Sequence, residues 1–182
     1  MSSTELKRVK ITPLMRKWAD AAQKETIKRL KEKDKKNGIV YQGKPKNEQS
    51  WSIGYLGELC YAKYLKSRNV KFKYEPRFDG TPDDGDIEIV REEYENLIID
   101  VKTCSGISPE GTEHKYCMIP NWQHNTQSYP AYVGVRLNDD IAEIWGYCTK
   151  AEFEPFLKDM GIPLDKMKDV DYLTEKAVYL KP

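Results

Sequence analysis

The sequence predicts an α/β domain, a central mixed sheet of about five strands flanked by helices. Two long stretches, 13–37 and 49–67, repeat apolar residues at helical spacing. Apolar runs at Ile87–Val90, Leu97–Val101, Ala131–Leu137 and Ala142–Cys148 read as strands. At 182 residues, with 39% hydrophobic and 32% charged side chains, the chain suits one domain with a sizeable core and lacks a disordered composition.

Composition also excludes classes. No run approaches the roughly 20 apolar residues of a membrane span, so no membrane partner is expected. The opening MSSTELKRVK lacks the apolar core of a signal peptide, which predicts a cytoplasmic protein. Cys60, Cys104, Cys117 and Cys148 are scattered without a C-x-x-C pair, and the chain has two histidines. Buried thiols are therefore expected rather than a zinc cluster.

The net charge of +1 hides an asymmetry. Residues 1–48 hold 14 Lys and Arg against 6 Asp and Glu, while the remaining residues hold 16 against 23. The division predicts a basic N-terminal helical arm over 1–48 and a main domain over 49–182. Thr12-Pro13 reads as an N-cap and first helical position, and the helix should run to Asn37-Gly38. Its lysines are either a solvated face or a surface for nucleic-acid phosphates. Gly43–Gln49 reads as a loop.

In the second helix Ile53, Leu56, Cys60, Tyr64 and Leu65 form the apolar stripe, broadened by Leu59 and Ala62. Gly54 and Gly57 are poor helix formers, and small residues at that spacing let another backbone approach. Glu58 stands beside this small face. Val70, Phe72 and Tyr74 then alternate with charged residues as a short strand, and the turn-rich Pro76–Gly85 delivers Asp86.

The stretch Asp86–Lys102 organises the rest. Two apolar runs flank the polar connection Arg91–Asn96 as two strands joined by a turn. Alternation puts Ile98, Asp100 and Lys102 on one face and Leu97, Ile99 and Val101 on the other. Asp86 opens the first strand. Opposite charges on so apolar a strand are costly to bury unless they pair or hold a metal.

A helix with a glutamate, a strand, an aspartate at the next strand and D-x-K on its neighbour resembles the PD-(D/E)XK nuclease superfamily. That group includes many restriction endonucleases, lambda-type exonucleases and archaeal Holliday-junction resolvases. The resemblance covers residues 50–150 and rests on GYLGELCYAKYL with Glu58, PDDGD with Asp86, and IIDVKT with Asp100 and Lys102. Asp83, after Pro82, is the other candidate for the leading aspartate; Asp86 is preferred because it abuts the strand.

The resemblance implies a restriction-endonuclease-like core and a Mg²⁺-dependent deoxyribonuclease, with Mn²⁺ as a substitute ion. Mg²⁺ prefers oxygen ligands and keeps several waters. Asp86, Asp100, the backbone carbonyl of Val101 and Glu58 would hold it. Lys102 would orient or deprotonate the attacking water, or stabilise developing charge. Gln123, with Gln127 behind it, is an accessory candidate on the segment after the D-x-K strand. His114 and His124 carry no catalytic assignment. DNA is the expected partner, and cuts on both strands would favour a homodimer.

Downstream, Lys115–Ile119 reads as a strand and Asn138-Asp139-Asp140 as a hairpin turn. Thr149 and Glu152 form a capping box for a short helix. Residues 161–182 read as a small peripheral element ending in a strand at Ala177–Leu180. Two other functions compete with the nuclease: a nucleic-acid-binding module that does not cut, and a structural protein whose hairpin charges form a buried ion-pair network.

Overall fold

Thr12 and Pro13 start the first helix as their chemistry dictates. In the computed structural model, which describes residues 6–38, 45–78, 85–91, 95–106, 113, 116–119, 130–159 and 161–175, α1 spans Pro13–Lys36. The Thr12 hydroxyl accepts the Met15 N–H at 3.2 Å. The helix ends at Asn37 and at Gly38, whose φ of +71° is the left-handed conformation a helix C-terminus favours. Lys33, Lys35 and Lys36 in the last turn suit the negative end of the helix dipole.

The second helix, α2 (Pro45–Ser67), begins earlier than expected. Pro45 has no N–H to lose and a φ already set for a first helical turn, so Pro45–Gln49 is helix rather than loop. Gly43 and Lys44 lie outside the described residues.

The central sheet is mixed and curled, close to a half-barrel, with six strands among the described residues where about five were expected. In chain order these are β1 (Lys7–Lys10), β2 (Phe72–Tyr74), β3 (Ile87–Ile89), β4 (Leu97–Ser105), β6 (Ala131–Asn138) and β7 (Ile141–Thr149). Their spatial order is β1-β7-β6-β4-β3-β2. Only β4 and β6 run parallel; the other neighbours are antiparallel. The uncounted strand is β1, in which only Val9 is buried. Its basic residues suit a sheet edge, where charge discourages further strand addition. The basic segment thus joins the sheet through β1 and packs through α1, whose Ala19, Ala22 and Thr26 are buried.

Two cores result, one on each face of the sheet. On the first, α2 lies on β4 and α1 lies against α2, burying Leu56, Leu65, Ile87, Ile99 and Val133 among others. The approach is closest at Gly57, where a Cβ would fall 1.8 Å from Thr103 Oγ1. The small-residue face of α2 therefore does admit a neighbour.

On the second face, β5 (Tyr116–Met118) pairs with β8 (Gly161–Pro163) as a separate ribbon. Ile162, Leu164 and Met167 are buried there with Cys117, Tyr132, Cys148 and Phe153. Residues 161–170 are thus core-forming rather than peripheral; their apolar positions follow neither period, which hid them. Ala177–Leu180 lies outside the described residues. Glu152 closes the expected capping box on Thr149, and Pro155 falls in the 3₁₀ segment Glu154–Asp159.

The β6–β7 hairpin turns at Asp139, with φ of +43°. Trp145 is the extra residue where the register shifts between Gly134 and Val135. Arg136 and Glu143, opposite each other, form a buried ion pair at 2.6 Å, and the guanidinium lies 4.4 Å from the Trp145 ring centre. All four cysteines are free: three buried, Cys104 half-buried. Burial raises the Cys60 and Cys104 thiols to about 11 and Cys148 to about 12, so all stay protonated at neutral pH.

Candidate functional site

The β3–β4 ladder runs from Ile89↔Leu97 to Ile87↔Ile99 and then opens. Asp86 marks the opening. Its N–H donates to the Ile99 carbonyl at 2.9 Å, and its Oδ2 accepts the Val101 N–H at 2.6 Å. One residue therefore holds β4 on both sides of Asp100. In a strand the N–H and C=O of one residue leave the same edge, so the Val101 carbonyl leaves β4 on the edge where Asp86 accepts its N–H.

Ile98 packs into the second core while Leu97, Ile99 and Val101 pack into the first, so Asp100 and Lys102 project on the second-core face. Asp100 is 3% exposed. Lys102 Nζ lies 2.7 Å from Asp100 Oδ2, the two side chains retaining 14% and 4% exposure. On β6, Tyr132 stands beside Asp100, and Gly134 stands beside Lys102.

Glu58 arrives from the other face. It follows Gly57, whose lack of a side chain seats α2 on Thr103. The Tyr74 hydroxyl donates to Glu58 Oε2 at 3.0 Å. Burial drives the Tyr74 pKa well up, reinforced by the charge and hydrogen bond of Glu58 and by the charge of Asp86. The phenol is thus a permanent donor that feels both carboxylates. Asp86 thus meets Val101, Asp100 meets Lys102 on the same strand, and Glu58 meets Tyr74 on the other face.

The sequence did not single out Tyr74 as a site residue. Its signal was that of a core-facing strand tyrosine, whose hydroxyl must find a partner when buried. Gln123, Gln127, His114, His124 and Asp83 lie outside the described residues.

An open cleft of about 440 Å³ adjoins Asp86, lined by Lys73, Glu75, Arg77, Glu88 and Ile98 as well. Lys73 and Glu88, cross-strand partners, are ion-paired at 3.1 Å.

The donors are hard oxygens, the right chemistry for Mg²⁺ rather than for a soft metal. Among the described residues no group of three or more His, Cys, Asp or Glu is drawn together to hold an ion. The fit therefore rests on two carboxylates and a carbonyl, with water filling the rest, as Mg²⁺ ordinarily permits. The chain matches no family model, no curated protein and no solved structure. Among the described residues, no helix is long and apolar enough to cross a membrane.

Proposed function

We propose that the protein is a metal-dependent nuclease hydrolysing phosphodiester bonds in DNA, on a restriction-endonuclease-like core. The single observation that carries the reading is the hold of Asp86 on β4 around Asp100, at the point where the ladder opens. A carboxylate placed in the plane of the sheet can meet groups from either face. Asp100 and Lys102 lie on one face, Glu58 with Tyr74 on the other.

Asp86, Asp100 and the Val101 carbonyl would hold Mg²⁺ or Mn²⁺, with Glu58 adjoining. Bound there, the ion would lower the pKa of a water and offset charge on the scissile phosphate. Lys102, whose Nζ lies beside Asp100, would orient or deprotonate that water, or stabilise the negative charge that develops on the phosphate. Tyr74 keeps Glu58 oriented with a proton it does not surrender. Two cuts on opposite strands would call for a twofold pair of chains.

The test is cleavage of labelled linear, circular, single-stranded and four-way-junction DNA by the wild type and Asp100→Ala, with Mg²⁺ and with EDTA. Cleavage by the wild type alone, abolished by EDTA, is expected. Binding without cleavage in both Mg²⁺ and Mn²⁺ would move the assignment to a non-cutting module.

A second reading is favoured by one observation, the 2.7 Å contact of Asp100 with Lys102 at low exposure. The two charges then form a buried ion pair with a structural role. That reading predicts indifference to Mg²⁺ and DNA, and a loss of about 3–5 kcal/mol in Asp100→Ala from the charge left unpaired.

A further inference from the structure

We infer that the cleft beside Asp86 binds a backbone phosphate of the DNA strand on Arg77, a phosphate flanking the one to be cut. The ligand rests on the nuclease reading; the site rests on the cleft itself. Three carboxylates, Glu75, Asp86 and Glu88, line this opening. A polyanion entering it meets repulsion unless a cation is present to receive it.

Lys73 is committed to Glu88 at 3.1 Å. Arg77 is different: among the described residues its exposed guanidinium makes no ion pair. A guanidinium presents a planar fork that matches two phosphate oxygens.

The backbone beneath that guanidinium is fixed. The Tyr55 hydroxyl donates to the Arg77 carbonyl at 2.6 Å and itself lies 2.6 Å from the Thr26 hydroxyl of α1. The next residue, Phe78, packs on Tyr55 and Trp18 with ring centres 5.8 Å and 6.5 Å away. Arg29 covers the Phe78 ring at 5.5 Å. Both long helices therefore anchor this short stretch while its charged end faces the cleft. The backbone that carries the cation therefore loses little freedom when the guanidinium meets a phosphate.

The lysines on the outer side of α1 supply the contrast. Lys24, Lys28, Lys31 and Lys35 recur at helical spacing on the side away from buried Ala22 and Thr26, and none of them lines this cleft.

The experiment is fluorescence anisotropy of labelled single-stranded and duplex DNA, titrated with KCl, in EDTA and again in Ca²⁺. Arg77→Ala should weaken binding about tenfold and lower the salt slope by about one counterion. Arg77→Lys should keep the slope while losing part of the affinity, and Lys35→Ala should lose less than Arg77→Ala. The Arg77 side chain is exposed, so melting temperatures of these variants should match the wild type. Wild-type affinity and slope in Arg77→Ala would overturn the inference, as would absence of DNA binding by the wild type in both conditions. Arg77-dependent binding without any cleavage in Mg²⁺ or Mn²⁺ would instead uphold the phosphate site and sink the nuclease reading alone.

Discussion

Asp86 accepts the backbone N–H of Val101 at 2.6 Å with a side-chain oxygen, in the place a strand carbonyl would otherwise take. The bond separates two duties of one carboxylate. An amide keeps an acceptor for that N–H but removes the negative charge. Asp86→Asn should therefore hold its stability, while Asp86→Ala loses about 1–3 kcal/mol through an unpaired donor. Both should lose Mg²⁺-dependent cleavage. Urea denaturation beside the cleavage assay checks this, and an active Asn variant would remove Asp86 from the proposed metal site.

Tyr74→Phe deletes the donor to Glu58 and keeps the ring in the core. If Glu58 belongs to the proposed metal site, Tyr74 is an outer partner of a ligand, of the kind that affects affinity by about 10–100-fold, and Mn²⁺ binding followed by electron paramagnetic resonance should weaken by about tenfold. The stability cost should stay near about 1 kcal/mol. Unchanged Mn²⁺ affinity would confine the Glu58–Tyr74 bond to the architecture.

Gly57→Ala would place a Cβ 1.8 Å from Thr103 Oγ1 and 2.7 Å from Thr103 Cβ. The helix must lift from β4, at a cost of about 1–3 kcal/mol. Thr103→Ala in the same chain should recover only part, because its own Cβ remains in the way. The coupling, read from a double-mutant cycle of denaturation midpoints, should be clearly non-additive.

Asp171 gives the fold a pH dependence. Burial would raise its pKa, but hydrogen bonds from Lys7 and Tyr64, with the charges of Lys7 and Arg68, outweigh that and hold it below the ordinary carboxylate range. The folded state thus favours the ionised form. Its contribution is complete above the unfolded value of about 3.9 and is lost as pH falls through the lower folded value. Midpoints of urea unfolding should decline below about pH 4. They should decline less steeply in Asp171→Asn, and an equal decline would place the acid sensitivity elsewhere.

What was readable in the sequence was local. The Thr12 cap, the Asn37-Gly38 stop, the capping box at Thr149 and the hairpin at Asp139 depend on neighbours within a few positions, and all are present. The faces of Asp100 and Lys102 followed from the period of a strand. What escaped depended on distant pairing. Lys7–Lys10 has one apolar residue and becomes a strand only because β7 has an open edge. Tyr74 meets Glu58 because α2 settles on β4 through Gly57, and Ile162 and Met167 become core because a second face needs covering. None of those causes is written beside the residue it acts on.

The placement of β1 bears on the order in which the protein assembles. Lys7 pairs with Ile144 in the sheet and with Asp171 at 2.9 Å, so this strand finds its neighbours only after most of the chain has left the ribosome. Helices α1 and α2 adjoin in sequence and can pair early, whereas the sheet edge they accompany must wait. Until Ile144 and Asp171 are in place, α1 and α2 can pair while Lys7–Lys10 has no strand to join, so this edge of the sheet closes after the helices meet.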